Sequence, residues 1–231
     1  MLIIDNLTVN YGKAIVLKDL TLHIESTSIH GLLGLNGAGK TTLLNTIYGI
    51  KKSLNGSIRY NNNPISRNEI SFLETNNYFY PRITGQEFLN LIKSKAPDFN
   101  TEEWNQLFGL PLNKLIDTYS NGMKKKLALF GIICINKPIM LLDEPFNGLD
   151  LETIQKIKAL LVQLKSRGKT IIITSHILES LFSICESISY INKSNIQFTK
   201  SSKEFNKIEK EIFELHQDKI NSKINSLLGN P

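Results

Sequence analysis

Eight residues, Gly34-Leu35-Asn36-Gly37-Ala38-Gly39-Lys40-Thr41, fit the spacing G-x-x-x-x-G-K-[ST] of a phosphate-binding loop. Glycines let backbone N–H groups turn inward around phosphates, and a helix starting at the lysine offers the anion its positive end. Lys40 is placed to reach terminal phosphates and the Thr41 hydroxyl to coordinate Mg²⁺. Gly34, Asn36, Gly37, Ala38, Gly39, Lys40, Thr41 and Thr42 are the nucleotide-binding candidates of this segment. Such a loop alone binds a nucleotide and stops. Hydrolysis needs a second metal ligand and a group that handles water. The pair Asp143-Glu144 offers both: Asp143 for Mg²⁺, directly or through water, and Glu144 to orient or deprotonate the attacking water. A lone Asp-Glu pair closing a strand reads equally well as a helix cap; beside the loop, the chemical reading prevails.

The elements that must position these groups are legible in part. Apolar runs predict strands at Leu2 to Val9, Val16 to Ile24, Ile29 to Leu33, Gly56 to Tyr60 and Ile70 to Leu73, with turns at Lys51 to Asn55 and Asn61 to Pro64. Ile29 to Leu33 runs straight into the glycine loop, and a helix starts near Lys40. Thr84-Gly85-Gln86-Glu87 is a capping box that predicts a helix to about Lys95, with more helix after Pro97 and after Ser120. The continuous apolar run Ile139 to Leu142 reads as a strand buried on both faces, delivering Asp143 to the carboxyl edge of a parallel sheet, where open α/β folds bind ligands. Asp150 caps a helix with Ile154, Ile157, Leu160, Leu161 and Leu164 on one face; Gly168 ends it before the strand Thr170 to Thr174. Alternation of strand and helix implies right-handed parallel crossovers. The expected fold is α/β, interrupted by a helical insert near 84–128. Ser201 and Glu204 form another capping-box pattern ahead of Phe205, Ile208, Ile212 and Leu215, which predicts an amphipathic C-terminal helix over about 201–228 with fraying last residues. That helix either packs on its own domain or binds a partner.

With 231 residues, 41% of them hydrophobic and 21% charged, the chain is long enough to bury a substantial core and is ordinary in composition. Disorder along the whole length and low-complexity classes are excluded. The net charge of +6 suits a polyanionic ligand or an anionic surface without requiring either. Lys124-Lys125-Lys126 reads as a solvated helix face. Cys134 and Cys185 lie in apolar stretches, as buried thiols of a reducing compartment do. No run reaches the length of a membrane span and the first residues show no targeting signal, so direct membrane insertion is not expected.

Taken together these motifs resemble the ATP-binding cassette family, the nucleotide-binding subunits of ABC transporters. Between the two nucleotide motifs that family carries a signature, usually LSGGQ; here it reads Tyr119-Ser120-Asn121-Gly122-Met123. The resemblance implies that Ser120, Asn121, Gly122 and Met123 contact the γ-phosphate bound to another subunit. It makes Asn147-Gly148-Leu149-Asp150 the D-loop that crosses the dimer interface, His176 the switch histidine that supports Glu144, and Tyr11 the aromatic that stacks on adenine. The sequence departs from the family pattern at the Q-loop: Thr75, with Glu74 beside it, stands where a glutamine normally contacts Mg²⁺ and water.

The family likeness implies a single domain over 1–231. It would have a P-loop NTPase (RecA-like) core at about 1–83 and 129–200, an N-terminal antiparallel β subdomain and a signature-bearing helical subdomain at about 84–128. It implies ATP and Mg²⁺ as ligands, a head-to-tail pairing with a second, expectedly identical, nucleotide-binding subunit, and ATP hydrolysis that drives export. A separate membrane permease would dock near 74–92 and hold the chain on the inner face of the cell membrane. Direct nucleic-acid binding is not expected. Two rival readings stay open from the sequence: a soluble ATPase of the same family acting on nucleic acid or ribosomes, invited by the lysines, and a non-hydrolysing nucleotide switch, invited by Thr75.

Overall fold

The computed structural model describes residues 1–93 and 98–228. Strands β1 (Leu2–Tyr11) and β2 (Ala14–Ile24) form an antiparallel hairpin. Strand β3 (Ile29–Leu33) leads through the glycine loop into helix α1 (Lys40–Ile47). Then come β4 (Asn55–Tyr60), the two-residue β5 (Asn63–Pro64) and β6 (Ile70–Leu73). Three helices follow: α2 (Gly85–Lys93), α3 (Thr101–Phe108) and α4 (Asn121–Ile135). Strand β7 (Ile139–Asp143), helix α5 (Leu151–Ser166), strand β8 (Thr170–Ser175) and the short α6 (Glu179–Phe182) complete the alternation. A hairpin of β9 (Ser187–Asn192) and β10 (Asn195–Ser201) leads to α7 (Ile208–Leu228).

The strands make two sheets, a four-stranded antiparallel one in the order β2-β1-β4-β5 and a six-stranded one in the order β10-β9-β3-β8-β7-β6. In the larger sheet all neighbours are parallel except β10 on β9. Every residue of β3, β7 and β8 is buried, which is why these strands read as continuous apolar runs. Alternation along them divides the interior. Ile139 and Leu141 face the core shared with α1 and the antiparallel sheet, while Met140 and Leu142 face the core shared with α4 and α5; Ile172 and its neighbours Ile171 and Ile173 divide the same way. The β7–β8 register sets Asp143 opposite Thr174 at the carboxyl edge.

Several expectations hold in detail. Glu87 accepts from the Thr84 amide at 2.7 Å while the Glu87 amide donates to Thr84 Oγ1 at 3.2 Å, the reciprocal cap that the sequence predicts for α2. Its expected end near Lys95, like Pro97 and the last three residues, lies outside the described residues. Ser120 caps α4 by accepting from the Met123 amide, and Asp150 caps α5 through the Thr153 amide and hydroxyl. Both cysteines are buried free thiols. Residue 128, the expected end of the helical insert, falls inside α4, which continues to Ile135.

Two expectations are corrected, and one hairpin is added. Ser201 precedes, and Glu204 lies within, a 3₁₀ turn, Ser202–Lys207, and α7 starts only at Ile208; Ser201 bonds to the Glu204 side chain rather than to a backbone amide. The β9–β10 hairpin carries no apolar strand pattern because its apolar residues are interrupted by Ser187, Ser189, Asn192 and Asn195, two of which pack as polar pairs, with Ser189 on Thr199 and Ser187 on His30. Lys125, assigned to a solvated face, is buried.

Candidate nucleotide site

The glycine loop joins β3 to α1 at the carboxyl edge of the large sheet. Gly39 has φ +107 and a Cβ there would lie 2.6 Å from Leu17 Cδ2; Gly34 approaches the Ile191 carbonyl so closely that a Cβ would stand at 2.6 Å. The loop therefore closes only with glycine at both positions. Lys40 is buried, and its Nζ donates to the carbonyls of Gly34 (2.6 Å) and Leu35 (3.3 Å) and lies 3.5 Å from Glu144 Oε1.

Asp143 is 0% exposed. Three hydroxyls converge on its carboxylate: Thr41 and Thr75 donate to Oδ2, each at 2.7 Å, and Thr174 donates to Oδ1 at 2.5 Å. A buried carboxylate costs free energy unless its lone pairs are satisfied, and these donors satisfy them. Glu144, next along, adopts φ +50. Its amide donates to Thr174 Oγ1 at 2.9 Å and its carbonyl accepts from Lys125 Nζ at 2.8 Å. Both carboxylate oxygens lie 3.1 Å from His176 Nδ1. Burial pulls the Lys125 pKa down, while the charges of Glu144 and Asp143 pull it up.

A cavity of about 510 Å³ is lined by Leu35 to Gly37 and Gly39 to Thr42 of the loop together with Val16, Thr75, Glu144, Asn147 and His176, while Gly34 and Ala38 lie outside the lining. The residues singled out in four separate segments thus meet in one place. Thr75, not Glu74, is the one that reaches it. Tyr11 is 49% exposed at the end of β1, outside this lining, with Lys51 Nζ 4.5 Å from its ring centroid. Ser120, Asn121, Gly122 and Met123 do not line the cavity; Ser120 and Asn121 are exposed at the N-terminus of α4. Asn147 lines the cavity, Gly148 takes φ +76, Leu149 packs on the core and Asp150 serves as the α5 cap. The Thr153 donors hold the Asp150 carboxyl below its usual range.

Two contributors escaped the sequence reading. Thr174 gives no signal beyond ending an apolar strand, since its role depends on the β7–β8 register. Lys125 was concealed in a lysine run whose neighbours are partly exposed.

The sequence profile of the ABC transporter family matches residues 17–147, more than half of the chain. The chain belongs to that family. Among relatives of this ABC protein, the ABC transporter ATP-binding protein YtrB of Bacillus subtilis (strain 168) is 32% identical over 78% of this chain. The bacitracin transport ATP-binding protein BcrA of Enterococcus faecalis is 31% identical over 83% of it. These matches span 65% and 66% of the two relatives, just under two thirds of their lengths. The dimeric structure of MJ0796, a bacterial ABC transporter cassette, superposes with a TM-score of 0.77 at 25% identity, covering 87% of this chain and 99% of that one. The cassette fold is thus the P-loop α/β architecture with its antiparallel sheet. Among the described residues no helix is long and apolar enough to cross a membrane.

Proposed function

We propose that this cassette binds and hydrolyses ATP as the motor subunit of an exporter whose membrane permease is a separate chain. The carrying observation is the meeting of Lys40, Glu144 and His176 over the glycine loop. The loop amides and the α1 N-terminus cradle the phosphates, and Lys40 Nζ moves from the loop carbonyls to the terminal phosphate. His176 orients the Glu144 carboxylate, which holds the attacking water and takes its proton. Tyr11 receives the adenine on its exposed face.

The Asp143 carboxylate with the Thr41 and Thr75 hydroxyls on its Oδ2 is an all-oxygen donor set that fits Mg²⁺. Bound there, Mg²⁺ would neutralise phosphate charge. Thr41 and Asp143 hold it in this reading, and Thr75 takes the post of the Q-loop glutamine.

Exposure of Ser120 and Asn121 away from the cavity supports a head-to-tail dimer. In it Ser120, Asn121, Gly122 and Met123 of one copy close over the other copy's nucleotide, and 147–150 run along the interface. The pairing is of two identical chains, each one domain with its core at about 1–83 and 129–200 and its helical part at about 84–128. The exposed rings of Tyr78 and Tyr80, packed edge to face, supply apolar surface for the permease in the 74–92 segment. The chain then works on the cytoplasmic side of the membrane, peripherally. Burial of Lys125 removes the centre of the lysine cluster that invited a nucleic-acid reading.

The test is to tag the chain in its cell, extract membranes in mild detergent and assay the purified complex for Mg²⁺-dependent ATP hydrolysis. A stoichiometric multi-span protein and turnover are expected. Recovery only with ribosomes or nucleic acid, from the soluble fraction, would overturn the exporter reading.

A further inference from the structure

Lys125 is a buried cation that the nucleotide cavity does not contain. It is 8% exposed in the second turn of α4, and its ammonium is spent on a main-chain carbonyl, that of Glu144. The same oxygen accepts the Asn147 amide at 3.3 Å, closing the turn that leads into 147–150. Withdrawing an ammonium from water is costly unless strong partners replace the water, and an apolar side chain of equal length would fill the same space without that cost. The charges of Glu144 and Asp143 offset part of that cost, and the donor aimed at a main-chain carbonyl needs a reason.

The partner supplies one. Glu144 has φ +50, a conformation that a residue with a Cβ keeps only when its surroundings over-determine it. Thr174 fixes its amide end and Lys125 its carbonyl end. One turn earlier on α4, Gly122 lies against the same segment: a Cβ there would stand 3.1 Å from the Gly148 carbonyl oxygen. Positions 122 and 125, three apart, share one side of the helix. The start of α4 thus grips 144–148 twice, by close backbone approach and by a charge-assisted hydrogen bond.

We infer that Lys125 is a positioning residue that ties the main chain of Glu144 to the N-terminal turns of α4, so that contact made at Ser120 and Gly122 is felt at the glutamate of the same copy. The inference rests on the reading of Glu144 as the group that holds the attacking water. In the proposed dimer, each copy's Ser120 and Gly122 meet the nucleotide of the other copy, so the tie links occupancy of one site to the geometry of the second.

Hydrogen exchange on the full-length chain tests the tie without requiring turnover, and steady-state kinetics test its consequence. Lys125→Met keeps an unbranched chain, one bond shorter, and removes the donor; amides of 144 and 146–149 are expected to exchange about tenfold faster while those of 34–42 stay unchanged. ATP turnover is expected to fall about tenfold in kcat at constant KM. Lys125→Gln, which retains an N–H donor one bond shorter, recovers most of both. Wild-type exchange and kcat in the Met variant, uniform acceleration across the chain in both variants, or a Gln variant no better than Met would each overturn the tie. If the variants show the exchange difference but the wild-type protein hydrolyses no ATP, the tie stands and the reading of Glu144 fails instead.

Discussion

Replacing Glu144 by Gln removes the carboxylate that His176 orients but leaves the loop, Lys40 and Asp143 intact. ATP binding is expected to survive while turnover drops by about 10²- to 10⁴-fold, measured as phosphate release beside equilibrium nucleotide binding. Normal turnover in that variant would remove Glu144 from the mechanism. Lys40→Ala acts on binding itself: loss of a charge-assisted contact to phosphate should weaken ATP affinity at least about tenfold. Unchanged affinity would refute the phosphate assignment. Thr75→Val deletes one of the two hydroxyls on Asp143 Oδ2. Mn²⁺ titration followed by electron paramagnetic resonance in the presence of ADP should show about tenfold weaker metal binding, independent of turnover. The residues of the glycine loop and the Asp143-Glu144 pair were legible in the sequence because their spacing within one segment dictates their chemistry. Thr174 and Lys125 were not, because each acts on a carboxylate or carbonyl 19 to 31 positions away, and for Thr75 the sequence left the choice with Glu74 open.

At the scale of elements, β3 carries His30 wholly buried, its Nδ1 on Ser187 Oγ at 2.8 Å and its Nε2 without a partner among the described residues. Burial pushes its pKa down to about 4 from the ordinary 6.5. The folded state therefore keeps His30 neutral where the unfolded chain already binds a proton. Stability is full above pH 6.5 and falls as pH drops through the window down to about 4, by about 3 kcal/mol. Urea midpoints across that window should slope downward, and His30→Gln should flatten the slope; equal slopes would exclude His30 as the source. Helix α4 depends on apolar contact at its middle, where Phe130 is fully buried and stacks on Phe108 with ring centroids 4.8 Å apart. Phe130→Ala should cost about 3–5 kcal/mol in urea unfolding. Helices α2, α4 and α5 were legible because their caps are local side-chain to backbone bonds. The β9–β10 hairpin was not, since Ser187 and Ser189, which interrupt its apolar pattern, are satisfied by His30 and Thr199 on neighbouring strands.

For the whole molecule, the separation of the signature from the cavity is the consequential fact. The Glu144→Gln protein with ATP should elute as a dimer in gel filtration. Adding Ser120→Asp, which sets a negative charge where the other copy's phosphates would lie, should keep it monomeric while the monomer still binds ATP. Dimerisation of the double variant would exclude the head-to-tail arrangement. By itself the sequence determined the phosphate loop, the carboxylate pair, the helix caps and the buried strands, because these rest on contacts within a few residues or on the repeat of a single element. Only the tertiary structure decided that Thr75 rather than Glu74 meets Asp143, that Thr174 sits opposite it, and that Lys125 is buried on Glu144. Those choices follow from strand register and from which face α4 turns inward, and no local pattern encodes either.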